Sequence, residues 1–204
     1  MKRFGSTAAM ALALASTLAL PVRAQAPQAE MAKESAKAEM KDAMAKSEGG
    51  VRDSILFQIG QAQDKLLALA EAMPADKYGW RPGAGVRTMG EVFNHVAAAN
   101  YFLPTFWGAK VPAGVDPRTL EKEMSGDKAK TVAALKSSFE SLRREIQAVP
   151  EGDLGRKIKL FGQDATVRDD MMVLASHAHE HLGQAIAYAR SNNVTPPWSA
   201  KGGQ

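Results

Sequence analysis

Three of the four histidines of this 204-residue chain lie within five positions of one another, in Ser176-His177-Ala178-His179-Glu180-His181-Leu182-Gly183-Gln184. On an α-helix, residues four apart share a face and residues two apart nearly oppose each other. His177 and His181 can therefore grip one object, while His179 points elsewhere. Two imidazoles a turn apart are a metal-ligand pattern, and His95, more than eighty positions earlier, offers a third nitrogen if the fold brings it opposite. Three neutral imidazole nitrogens at about 2.0–2.1 Å suit Zn²⁺, and also Ni²⁺, Co²⁺ or Fe²⁺. They leave at least one coordination position for water or substrate. Asp170, two turns before His177 on the same face, is the candidate to support a ligand or act as an occasional one, and Gln184 can line the site or bond a ligand. The competing reading is an ordinary buried pair bonded to carbonyls, since an i, i+4 histidine pair also arises by chance. Glu180 flanks the ligand face and is not part of an H-E-x-x-H pattern, so a general-base role does not follow. Trp80 and Trp198 read as packing residues.

The elements that must position these histidines are helices. Ile55, Ile59, Ala62, Leu66, Leu69 and Met73 recur four and three apart, the stripe of an amphipathic helix that Pro74 ends. A loop rich in glycine and proline, Lys77 to Arg87, follows. Thr88 and Glu91 then make a capping box for a second helix carrying Val92, His95, Ala99, Phe102 and Phe106 on one stripe, kinked or ended by Pro104. Asp116-Pro117 predicts one short helical turn inside the next loop. Val132, Leu135, Phe139, Leu142, Ile146 and Val149 define a third helix, and Lys157 to Ala165 a short extended or turn segment around Gly162. The fourth helix starts at Thr166-Val167-Arg168-Asp169 and runs through Leu174, His177, Ala178, His181 and Ala185 to about Arg190. Four long amphipathic helices with almost no strand signal predict an all-α protein, a four-helix bundle over about Val51 to Ser199. The loop after the second helix is long enough for a crossover, so an up-down-up-down order does not follow.

The N-terminus has a different character. Lys2 and Arg3 precede an apolar run from about Ala8 to Leu20 and small residues around Ala24 and Ala26, the three regions of a secretory signal peptide. The run is shorter than an ordinary membrane span. Residues 1–24 are thus expected to be a leader, cleaved after Ala24 or Ala26, with an uncleaved membrane anchor as the minor alternative. A periplasmic or secreted protein follows. Residues 25–50, rich in Ala, Lys and Glu, read as a flexible or partly helical linker. Three of the 26 basic residues belong to the leader, which leaves 23 against 22 acidic ones. So balanced a mature chain presents no electrostatic case for nucleic acid. There is no cysteine, so the core holds the fold without disulfides and any nucleophile must be imported or be water. No G-x-S-x-G, phosphate-binding loop or dinucleotide fingerprint occurs.

Trp80-Arg81-Pro82, then Thr88-x-x-Glu91-x-x-x-His95, then His177-x-x-x-His181-x-Gly183-Gln184-x-x-x-Tyr188-x-Arg190 before Pro196-Pro197, together resemble the DinB-like superfamily of four-helix metal-binding proteins. The resemblance spans nearly the whole mature domain. It implies one divalent metal on His95, His177 and His181, and a homodimer. It also implies an activity like that of the relatives that are thiol S-transferases using glutathione-like, bacillithiol or mycothiol cosubstrates, whose thiol pKa the metal lowers. An exported location departs from that pattern, because the cytosolic thiol pool is absent there. Two functions are therefore carried forward. One is a metal-dependent transferase or hydrolase acting on a small molecule or thiol, and the other a non-catalytic metal- or ligand-binding stress protein.

Overall fold

A computed structural model describes residues 50–124 and 126–199; the leader and the residues up to 49 lie outside the described residues. Five α-helices and one hairpin make up the described chain: α1 (Val51–Ala72), α2 (Met89–Phe102), α3 (Pro117–Glu123), α4 (Lys128–Ala148), β1 (Lys157–Leu160), β2 (Gln163–Thr166) and α5 (Val167–Ser191), with short 3-10 turns between them. The protein is thus mostly helical, with four long helices around one core. No described helix is long and apolar enough to cross a membrane.

The principal contacts run α1–α5, α5–α2, α2–α4 and α4–α1, so the four long helices close a ring in which α1 faces α2, and α4 faces α5, across the core. A simple sequential up-and-down order is therefore not adopted. The long 73–88 connection carries the chain across, and the hairpin does the same between α4 and α5.

Several helix ends are fixed by local chemistry. Thr88 Oγ1 accepts from the Glu91 amide (3.2 Å) while the Glu91 carboxylate accepts from the Thr88 amide (2.7 Å), so both halves of the expected capping box form. Thr166 and Asp169 repeat the device at the start of α5. Asp116 caps α3 through the Arg118 amide, with Pro117 at its first position. Lys128 Nζ donates to the carbonyls of Glu71 (2.6 Å) and Met73 (2.8 Å), placing a cation on the orphan acceptors at the end of α1.

The stripes of α1 and α4 are buried nearly as the spacing predicts: Ile55, Ile59, Ala62, Leu66, Leu69 and Met73 from one, Leu135, Phe139, Leu142, Ile146 and Val149 from the other. Val132 is only half-buried. The expected stripe of α2 is corrected. Val92 is buried, but so are Phe93, Val96, Ala97 and Tyr101, whereas Phe102 is 41% exposed and His95 half-buried. Phe106 lies beyond the α-helix, in the 3-10 turn Leu103–Trp107 that holds Pro104. The cause is position: α2 packs against α4, α5 and α3 together, so it is buried on most of its circumference and no single stripe describes it. Its buried amides are tied to α4, Asn94 to Thr131 (3.3 Å) and Asn100 to Ser138 (3.1 Å).

Candidate functional site: three converging histidines

On α5, 25 residues long, His177 and His181 stand one turn apart with ring centroids 4.4 Å from each other. From α2, His95 meets both, its ring 4.9 Å from that of His177 and 4.7 Å from that of His181. One nitrogen from each of the three lies within 4.8 Å of the others. The Nε2 atoms of His95 and His177 are 3.1 Å apart. Two imidazole nitrogens at that distance need a proton or a cation between them, because each neutral ring has one bare lone pair. Tetrahedral coordination at about 2.0–2.1 Å separates ligand nitrogens by about 3.3–3.4 Å. The cluster thus fits one divalent transition ion with small ring rotations.

The outward nitrogens of two rings are held. Nδ1 of His95 donates to Glu121 Oε2 (3.0 Å), and Glu121 Oε1 accepts in turn from Arg87 Nε (2.8 Å). Nδ1 of His181 donates to Gln184 Oε1 (2.8 Å), and Gln184 Nε2 donates to the Tyr188 hydroxyl (3.0 Å). Tyr188 packs edge-on against Trp80 at 5.3 Å, so Trp80 serves packing. With Nδ1 donating in both rings, each Nε2 lone pair is left facing the shared space, the tautomer that a metal ligand requires.

Charge in the site follows from these contacts. Burial pushes the His177 imidazolium down to about 3, helped by the nearby His181, His95 and Arg87. His95 is also lowered, first by burial and then by Arg87 and His181, against the pull of Glu121. For Glu121, burial works the other way, but the hydrogen bond and charge of Arg87, with those of His95, outweigh it and hold the carboxyl below its usual range. Neutral His95 and His177 beside an ionised Glu121 are the state a cation would find.

The remaining candidates separate cleanly. Gln184 touches His181. Asp170 does not join the cluster: it is fully buried, neither carboxylate oxygen has a hydrogen-bond partner, and burial raises its pKa to about 7. Seven residues of helix put it about 10 Å along the axis from His177. The support expected of Asp170 comes instead from Glu121, which sequence reasoning did not select. Its only signal was the Asp116-Pro117 helix start, which predicts α3 but not the packing of α3 on α2 that carries Glu121 to His95. His179, exposed, turns back to the Ala175 carbonyl at 2.9 Å and lies outside the cluster. Glu180 is exposed, and Trp198 packs against the core.

A mostly helical protein whose long helices bring three histidines together is a class that the comparisons with known proteins narrow further. Residues 58–185 match the model of the DinB superfamily, and the chain belongs to that superfamily. A crystal structure of a DinB-like protein from Bacillus cereus ATCC 10987 superposes with a TM-score of 0.60 at 16% identity, covering 67% of this chain and 89% of that one. A DinB-like protein from Bacillus subtilis gives a TM-score of 0.52 at 18% identity, with 70% and 94% covered. At such identities the likeness is one of fold. No curated protein matches the chain.

Proposed function

We propose that this protein binds one divalent transition metal, zinc in the first place with nickel, cobalt or iron as alternatives, and uses it as a transferase or hydrolase. The observation that carries this is the convergence of His95, His177 and His181, with nitrogens within 4.8 Å of one another and the outward Nδ1 atoms of His95 and His181 bonded to Glu121 and Gln184. His95, His177 and His181 would hold the ion through their inward nitrogens. When bound, it would supply a Lewis acid that lowers the pKa of a thiol or water brought to it. Glu121 fixes the His95 tautomer and raises the ring's basicity, and Gln184 does the same for His181. Arg87 keeps Glu121 ionised, so the carboxylate accepts from His95 and does not take up a proton itself. His181, 7% exposed, closes the core side of the site, while His95 and His177 face a cavity of about 390 Å³ from which a ligand can approach.

We place the mature protein outside the cytoplasm, on the strength of the Lys2-Arg3 start, the apolar run and the small residues near Ala24 and Ala26. With no cysteine in the chain, a thiol S-transferase activity requires an imported thiol, and hydrolysis requires only water. The alternative, a metal- or ligand-binding stress protein without turnover, predicts tight metal binding with no reaction. The test is a metal-loaded preparation assayed with thiol–electrophile pairs and with ester and amide panels. Turnover that disappears in His181→Ala supports the enzyme, and full metal occupancy with no turnover on any panel leaves the binding protein.

A further inference from the structure

Two recesses near the histidine cluster differ in kind. One is a recess of about 500 Å³ bordered by Arg81, Arg87 and Gln184, whose charges are already engaged: Arg87 with Glu121 at 2.8 Å and Arg81 with Glu91 at 3.7 Å. The other is the 390 Å³ cavity, with His95 and His177 at one end and walls of Ala99, Leu103, Phe161 and Val173. Of its other polar groups, Glu121 is tied to His95 and Arg87, and the Arg118 side chain is 89% exposed, its head in solvent. Apart from these groups and the histidines, the residues lining the cavity are apolar.

Phe161 sharpens the point. It sits with Gly162 in the two-residue turn between β1 and β2, where Leu160 pairs with Gln163. Both turn residues have left-handed backbones, φ 49° and 83°. Such a turn favours asparagine or aspartate before glycine, and a bulky aromatic residue there is strained. The residue is also 65% exposed. Packing on Phe106 (5.0 Å) and Phe102 (6.4 Å) holds it at the cavity mouth but does not bury it. One residue thus accepts both backbone strain and solvent exposure, and its position over the cavity gives both a use.

We infer that the cavity holds an aromatic or similarly bulky apolar group of the ligand whose donor atom meets the histidine-held ion, and that Phe161 sets this specificity. This rests on the metal reading above and names its substrate class. The cavity volume falls within the range of small-molecule sites, and its lining includes the His95 and His177 imidazoles.

The test compares ethanethiol with 2-phenylethanethiol on the cobalt-loaded protein under anaerobic conditions, following the cobalt absorption spectrum. The two share a donor and differ by one phenyl ring. The phenyl compound is expected to bind about 30-fold or more tightly, from burial of roughly one ring. Phe161→Ala should cut that preference about fivefold or more while leaving cobalt affinity and the ethanethiol constant within about twofold, and Val173→Gln should act in the same direction from the opposite wall. Equal affinity for the two thiols overturns the proposal and leaves metal binding standing. A preference untouched by either variant overturns the assignment to this cavity. If no cobalt binds, the metal reading falls. The metal-free protein is then titrated with ethylbenzene: amide shifts confined to Ala99, Leu103, Phe161 and Val173 support the apolar cavity, and their absence overturns it.

Discussion

Two buried polar centres on α5, seven residues apart, contrast sharply. At His177 and His181 the imidazoles meet a third from α2, and the outward Nδ1 atoms of His95 and His181 are bonded, to Glu121 and Gln184. At Asp170 a carboxyl is fully buried with no partner for either oxygen. Both environments disfavour charge, and burial is the leading cause in each: His177 is driven down to about 3 and Asp170 up to about 7. The difference lies in what surrounds them. His95 and His181 are held in one tautomer with their inward nitrogens free to bind, an arrangement prepared for a cation, whereas Asp170 is a neutral acid in an apolar setting at a cost to stability. Burial alone does not make a site; convergence and a bonded outer layer do.

The comparison can be broken at several points. Removing a converging imidazole should have the largest effect. His181→Ala is expected to weaken metal binding beyond the about 10- to 100-fold of an outer-layer loss, measured by competition with a chelator of known affinity.

At the orphan acid the effect should fall on stability. The folded-state pKa of Asp170 is raised above its ordinary value, so its contribution is complete at low pH and is lost as pH rises through about 7. Asp170→Asn should therefore stabilise the metal-free protein at pH 8, by about 2–4 kcal/mol if the amide is accommodated without strain. Near pH 4 the gain should vanish. Urea unfolding at the two pH values checks this, and an equal effect at both would separate Asp170 from the titration.

Glu121→Gln keeps the shape of the outer layer but weakens the acceptor for His95. Metal affinity should drop about 10- to 100-fold with little change in melting temperature. A larger loss of stability than of affinity would make Glu121 a structural residue. Smallest is Thr166→Ala, which removes half of the cap on the helix that carries both α5 histidines. It should cost about 1 kcal/mol, seen as a modest fall in melting temperature with metal stoichiometry unchanged.

How far the sequence carried depended on how many neighbours each element has. On α1 and α4 a single apolar stripe faces a single core, so spacings of three and four named nearly every buried residue. On α2 the same procedure picked His95, Ala99, Phe102 and Phe106 as a core face and missed Phe93, Val96 and Ala97, because a helix enclosed on most sides has no dominant period. The α5 pair was legible from spacing, but its meeting with His95 rested on the family resemblance, since no local pattern links positions 82 residues apart. Glu121 was out of reach for a related reason. Its role depends on where a seven-residue helix docks, and docking is tertiary. Asp170 shows the converse: the face was legible, but a place on the right face two turns away does not bring a side chain to the ligands.

The central claim is that the three histidines form one metal centre, and metal content tests it most directly. The mature protein, loaded with zinc or cobalt and freed of excess, should retain about one ion per chain. His95→Ala, with an unchanged circular dichroism spectrum, should retain almost none, because a pair on one helix holds a divalent ion far less tightly than three imidazoles from two. Equal stoichiometry in the two proteins, or a wild-type chain that takes up no metal, would contradict the account.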